Sequence, residues 1–248
     1  MNVVNTQIAY LLHKRAFRES SSIIDILTKD HGRLSLMVRG ARGARSKIAG
    51  NLMLFTPLVI SWQGKGELPY LKSVERADLK APTLKSKALL SAMYMNELLM
   101  YMLHKNDVHE DIFEHYHHCL YLLERVGNIE ISLREFETKL LEILGFGLSL
   151  KSEADTGENI QLGETYGYFV EHGAVKSGDC VGTNVPQISG ACLQALEKHN
   201  YQEISDNPAH LAELKQLMRF VINHHLGNKK LKSREMFKPV VNASLLRN

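Results

Sequence analysis

Between residues 38 and 50, VRGARGARSKIAG, Arg39, Arg42 and Arg45 recur three apart, Lys47 follows, Gly40 and Gly43 intervene, and there is no carboxylate. Cations held this close repel one another, so the arrangement gains most from an anionic partner that cancels the repulsion. Lysine and arginine neutralise phosphates and release condensed counterions, and neighbouring glycines let the backbone approach a polyanion. The segment imitates a nucleotide-binding phosphate loop, but the match fails: the fifth residue after Gly40 is Arg45, and Ile48 rather than Ser or Thr follows Lys47. Its chemistry is binding, not nucleotide hydrolysis.

Catalytic constellations are harder to find. His109, His115, His117 and His118 crowd one stretch, with His224 and His225 far along the chain. A metal-binding helix needs histidines at i and i+4, as in H-E-x-x-H, whereas His109-Glu110 is followed by His115 six residues on. Solvated helix faces account for them, and a metal-dependent hydrolase or nuclease using the His115–His118 region is the alternative. There is no G-x-S-x-G elbow, and the carboxylates form only ordinary helix-surface pairs. Cys119, Cys180 and Cys192 are scattered, without a C-x-x-C, which excludes a disulfide framework and a cysteine-rich zinc site. The sequence thus implies no enzyme, no metal and no cofactor. Trp62 with Tyr70 could form a stacking platform, although Trp62 alternates with Leu58 and Ile60 on a core face.

The elements that must position the cationic loop follow from pattern. Residues 1–80 carry 13 Lys and Arg against 6 Asp and Glu, a net of +7, whereas residues 81–248 carry 17 against 21. Apolar runs at Ile8–Leu12, Ile23–Leu27, Leu34–Val38, Leu52–Ile60 and Leu68–Leu71 are each bounded by turn residues, which predicts five short strands and a small OB-type barrel, with an SH3-like barrel as the alternative. Alternation places Leu34, Leu36 and Val38 on one face of their strand, and Ser35, Met37 and Arg39 on the other. From Thr83 the period becomes helical. A central helix carries Leu89, Leu90, Met93 and Met100; a second opens with Asp107 and Glu110; a third opens with Ser132 and Glu135 and stops at Gly145. These three are expected to form a bundle. Residues 146–187 lose the periodicity and read as a small irregular insert with strands near Tyr166–Val170 and Gly173–Val175. Helices return at about Gly190–His199 and at Pro208–Leu226, the latter with Asn207 as N-cap and Gly227 past its end. The apolar run Ala88–Leu103 is too short to span a bilayer comfortably, and the N-terminal stretch lacks a basic lead-in and a cleavage site, so a cytoplasmic location is expected.

The stretch HKRAFRESSSIIDILTKDHGRLSLMVRGARGARSKIAGNLMLFTPLVISWQGKGELPYLKSVE, together with MNELLMYML, LREFETKLLEILGFGL and LGNKKLKSREMF, resembles the bacterial RecO family of DNA repair proteins, in the right order over nearly the whole chain. The resemblance implies an α+β protein: an N-terminal five-stranded OB-fold over 1–80 that binds nucleic acid, and a mostly helical domain over 81–248 with the insert at 146–187. Zinc-bearing members carry cysteines in that insert. Here SEADTGENIQLG stands in their place, so the resemblance implies hydrophobic packing there instead of zinc.

It further implies a non-enzymatic recombination mediator that binds single- and double-stranded DNA and anneals complementary strands. Its partners would be RecR, in some settings RecF, RecA, and the acidic C-terminal tail of the single-stranded DNA-binding protein. The matching basic positions are Lys14, Arg15, Arg18, Arg33, Arg39, Arg42, Arg45 and Lys47, with Lys229, Lys230, Lys232 and Arg234 as a second cluster. Arg134, with Leu133, Thr138 and Leu141 on the LREFE helix, is the expected site for the acidic tail. A structural adaptor that binds acidic tails is a further alternative.

Overall fold

The structure, a computed structural model, describes residues 3–40, 47–125, 129–180, 183–227 and 229–237. Five strands, β1 (Val3–Phe17), β2 (Ser21–Thr28), β3 (Gly32–Val38), β4 (Leu58–Gln63) and β5 (Tyr70–Arg76), close into a barrel in the order β1-β2-β3-β5-β4. β1 closes it by pairing along its first half with β4 and along its second with β2. Two irregularities bend it. One lies between Val4 and Gln7, where Thr6 has φ 54°, and the other between Leu11 and His13. Such bulges raise local twist and let one strand turn a barrel corner. Alternating residues Leu34, Leu36 and Val38 point inward with Ile24, Ile26, Leu58, Ile60, Trp62, Leu71 and Val74. Trp62 is therefore core, edge-on to His31, and does not form a platform. A short helix α1 (Lys47–Asn51) precedes β4.

Helices α2 (Ser86–Met102) and α3 (Glu110–Glu124) pack on this barrel. The bulge after Leu11 frees strand carbonyls, and Asn96 of α2 answers them: its amide nitrogen donates to the Leu12 oxygen at 2.9 Å and lies 3.4 Å from that of Leu11. Its own oxygen accepts from the Tyr116 hydroxyl of α3. Tyr10 lies against Phe113 and Tyr116 and bonds His117 Nδ1. At the β2–β3 turn, Gly32 has φ +63°, and a Cβ there would stand 1.9 Å from the Asp107 carbonyl oxygen. Only glycine meets both demands. α3 opens at His109 rather than at an Asp107 capping box, because Asp107 is engaged by this packing and by His109 Nε2 at 3.1 Å.

Compact units divide the chain into residues 1–125 with 231–248, and residues 126–230. In the second unit α4 (Ile129–Ile143) packs with α6 (Tyr201–Asp206) and α7 (Pro208–Leu226), whereas α2 and α3, its expected bundle partners, fall in the first unit. α4 starts before Ser132, which is buried inside it. Asn207 caps α7 through bonds from Ala209 N and His210 N, as its sequence implies. β6 (Thr165–Phe169), β7 (Gly173–Lys176) and β8 (Gln187–Ser189) form a small sheet, and α5 (Gly190–Glu197) follows.

Apolar packing does not hold this insert alone. The buried Glu153 carboxylate accepts from Thr156 Oγ1 at 2.8 Å and Tyr166 OH at 3.2 Å and pairs with Lys176 Nζ at 3.3 Å. The Thr156 hydroxyl first, then Lys176 and Tyr166, hold its pKa below the usual carboxylate range. A charged knot thus shares in holding the segment that was expected to rest on hydrophobic packing.

Burial lowers the pKa of His117, against the opposing pull of Glu114. Its Nδ1 shares a hydrogen bond with the Tyr10 hydroxyl. Unfolded histidine takes its proton near pH 6.5, whereas folded His117 resists until lower pH, so its contribution is whole above that value and drains as pH falls towards the folded pKa. The urea midpoint is expected to fall more for wild type than for His117→Gln between about pH 7.5 and about pH 5.5. Equal falls would remove His117 from the account.

Candidate nucleic-acid interface

Strand register gathers three connections at one end of the barrel. β1 ends at Phe17 opposite Ser21, β3 ends at Val38 opposite Ser22, and β4 ends at Gln63 opposite Tyr70. The β1–β2 turn, Arg39 and Gly40 after β3, and the β4–β5 loop over 64–69 therefore lie on the same side. In OB barrels the face of the second and third strands, with the β1–β2 and β4–β5 loops, takes oligonucleotides or oligosaccharides.

Cross-strand pairing also places side chains. Arg15 lies opposite Ile23, Ile23 opposite Met37, and Met37 bridges in parallel to Tyr70, so these residues cross four strands in one row. Residues in register share a face, and Arg39, two beyond Met37, joins it. The Arg39 guanidinium lies over the Tyr70 ring, 4.1 Å from its centroid. In the β1–β2 turn Arg18 lies 5.3 Å over Phe17. Arg15, Arg18, Arg39 and Lys65 are all exposed; Lys65 lies between Gly64 and Gly66, residues whose sequence signal is that of a turn alone. Glu19 and Glu67, in the same two loops, partly offset this charge. Lys14 is exposed but projects from the opposite face of β1 to Arg15. Arg42, Arg45 and the Lys47 side chain lie outside the described residues.

Arg33 corrects the sequence expectation. Only 9% exposed, it directs Nε and Nη2 to the Leu103 carbonyl at 3.1 and 2.9 Å, with Nη1 4.0 Å from Asp25. Its backbone carbonyl accepts from Asn106 N at 2.7 Å. Loss of solvent lowers its pKa from the ordinary arginine value, and Asp25 opposes the shift. Arg33 is a clamp between barrel and helices, with Nε and Nη2 committed to Leu103.

Arg134 is a second correction. Its side chain is 7% exposed and Nη2 bonds Glu137 Oε1 at 2.9 Å. Leu133 and Leu141 are buried, and Thr138 Oγ1 bonds Tyr201 OH. These four residues form unit core and internal bonds, not an exposed groove. The cavity beside them, about 360 Å³, is lined by Thr138 but by none of the other three.

The second basic cluster is divided. Lys229 and Lys230 are exposed in the second unit, whereas Lys232 and Arg234 belong to the first. There a helical turn over 232–237 is held by α2: Lys232 N and Ser233 N donate to the Glu97 carboxylate at 2.8 and 2.9 Å, and Arg234 Nη2 donates to Tyr94 OH. Among the described residues, no three His, Cys, Asp or Glu side chains cluster as metal ligands, and no helix is long and apolar enough to cross a membrane.

A closed β1-β2-β3-β5-β4 barrel with a cationic, aromatic rim at its loop end defines an OB-fold protein. Residues 1–79 match the family model described as recombination protein O N terminal, and residues 85–235 match recombination protein O C terminal. The chain belongs to the recombination protein O family. It is 39% identical to the DNA repair protein RecO of Methylococcus capsulatus over 93% of this chain and 91% of the relative. To those of Coxiella burnetii strain RSA 331 and Nitrosococcus oceani it is 38% and 39% identical, each over 92% of this chain and 95% and 90% of the relative.

Arg33→Ala is expected to lower unfolding stability by about 3 kcal/mol, through two lost charge-assisted bonds and an unsatisfied carbonyl. Arg33→Lys should recover only part of this, since an ammonium cannot reproduce the forked contact. A denaturant midpoint for Arg33→Ala equal to wild type would contradict the clamp.

Proposed function

We propose that this chain is a non-enzymatic DNA repair and recombination mediator, which binds single- and double-stranded DNA and anneals complementary strands. The observation that carries the reading is the loop end of the barrel, where Arg15, Arg18, Arg39 and Lys65 stand exposed around aromatic rings in a chain of the recombination protein O family. Contacts of this kind go to phosphates, so they fix the strand without reading its sequence and leave base edges available for pairing. Neutralising one backbone also lowers the repulsion that a second, complementary strand meets.

The relatives' shared name, DNA repair protein, supports the same reading. In it the chain works beside RecR, and in some settings RecF, to let RecA replace the single-stranded DNA-binding protein on gapped DNA. Lys229, Lys230 and Lys232 would extend the DNA surface, as would Arg42, Arg45 and Lys47. Capture of that protein's acidic tail belongs to the same proposal, but the burial of Arg134, Leu133 and Leu141 means that the tail would need other residues or a rearranged second unit. A structural adaptor would bind the tail and fail to anneal; a nuclease would cleave DNA and stop with a chelator.

The test is a salt titration of binding to single-stranded DNA. About five phosphate contacts give a log–log slope of roughly −3.5, and Arg39→Ala should reduce it by about 0.7. Annealing should fall with affinity in that variant while its circular dichroism is unchanged. Binding indifferent to salt would overturn the proposal.

A further inference from the structure

The aromatic side chains of the barrel have unequal surroundings. Tyr10 is buried against α3, Trp62 and Phe55 are inside, and Tyr70 is 37% exposed at the first position of β5. Tyr70 contributes no side chain to the barrel core, because its inward-pointing neighbour Leu71 does so.

Resting on the nucleic-acid reading above, we propose that Tyr70 and Arg39 form a nucleobase-stacking subsite: an unpaired base settles on the Tyr70 ring, and the Arg39 guanidinium moves to the adjoining phosphate. Three observations carry it. The ring stands where the β4–β5 loop meets the end of β3, at the mouth through which OB barrels take oligonucleotides. The guanidinium of Arg39, an exposed residue, lies over the ring, 4.1 Å from its centroid. The pairing is repeated in the β1–β2 turn, where Arg18 lies over the half-buried Phe17. Phe17 ends β1 opposite Ser21, and Arg39 follows Val38, which lies opposite Ser22, so both ring–cation pairs stand at this end of the barrel.

The exchange is favourable by comparison of magnitudes. An exposed cation–π contact is worth about two- to fivefold in an equilibrium. Stacking of one base on a protein ring is worth about five- to a hundredfold, and the displaced guanidinium gains a phosphate. The same geometry distinguishes strand types. In a duplex each base is already stacked, so the subsite serves single strands.

The test compares a labelled oligodeoxythymidine with the same backbone made fully abasic, both titrated with the full chain, and adds a duplex as a third ligand. Wild type should prefer the base-bearing strand by about fivefold or more. Tyr70→Phe should keep that preference and Tyr70→Trp should keep or raise it, since each retains a ring. Tyr70→Leu should bind the oligodeoxythymidine as weakly as wild type binds the abasic strand, with duplex affinity and salt slope unchanged. Equal wild-type binding of the two single strands, or a preference that survives in Tyr70→Leu, overturns the subsite and leaves the phosphate-binding proposal standing. Absence of binding to all three ligands at low salt overturns the nucleic-acid reading, and the subsite with it.

Discussion

Asn96 is the side chain on which the geometry of the first unit turns. Strand β1 must bend to pair with β2 and β4 in succession, and it bends where its register breaks after Leu11. A break of this kind leaves backbone carbonyls without partners in a buried place, at a cost comparable to a lost hydrogen bond for each. The Asn96 amide meets that cost from α2, and Tyr116 of α3 completes the Asn96 oxygen. A closed barrel, helices fixed on its side and loops brought to one end are three results of the same local solution.

The strands of this barrel carry two duties along their length. Towards Tyr10, Leu27 and Arg33, the outer surface is covered by α2, α3 and the loop between them, and its polar groups are spent internally. Towards Arg15, Met37 and Arg39 the same surface is open, and its cations and rings face solvent. A rigid base at one end lets an exposed end keep mutually repelling charges in place without collapse.

Much of the architecture was legible in the chain because period carries it. The alternation Leu34-Ser35-Leu36-Met37-Val38 assigns β3 and its inward face, and Asn207-Pro208 with Gly227 brackets α7. Charge was legible only as composition. Arg33, Arg39 and Arg134 read alike as cations near anticipated surfaces, but one clamps Leu103, one stacks on Tyr70 and one is buried beside Glu137. Those outcomes depend on residues 70, 31 and 3 positions away, and only the last spacing leaves a local sequence signal. The helix starts at Asp107 and Ser132 failed for a related reason, since the capping residues were already committed to tertiary packing or lay inside a longer helix. The short α6 was missed because six residues span less than two turns. The same distance problem hid the Glu153 knot, whose partners Tyr166 and Lys176 lie on different strands.

Residues 231–237 return to α2 after the whole of the second unit has intervened, so one compact body is nested in the chain of the other. During vectorial synthesis the barrel and its two helices emerge early, but Glu97 waits for Lys232 and Ser233, which leave the ribosome 135 and 136 residues later. The unit made first is thus the unit finished last, and the inserted body has time to fold in between. Nesting of this order ties completion of the first unit to translation through Ser233.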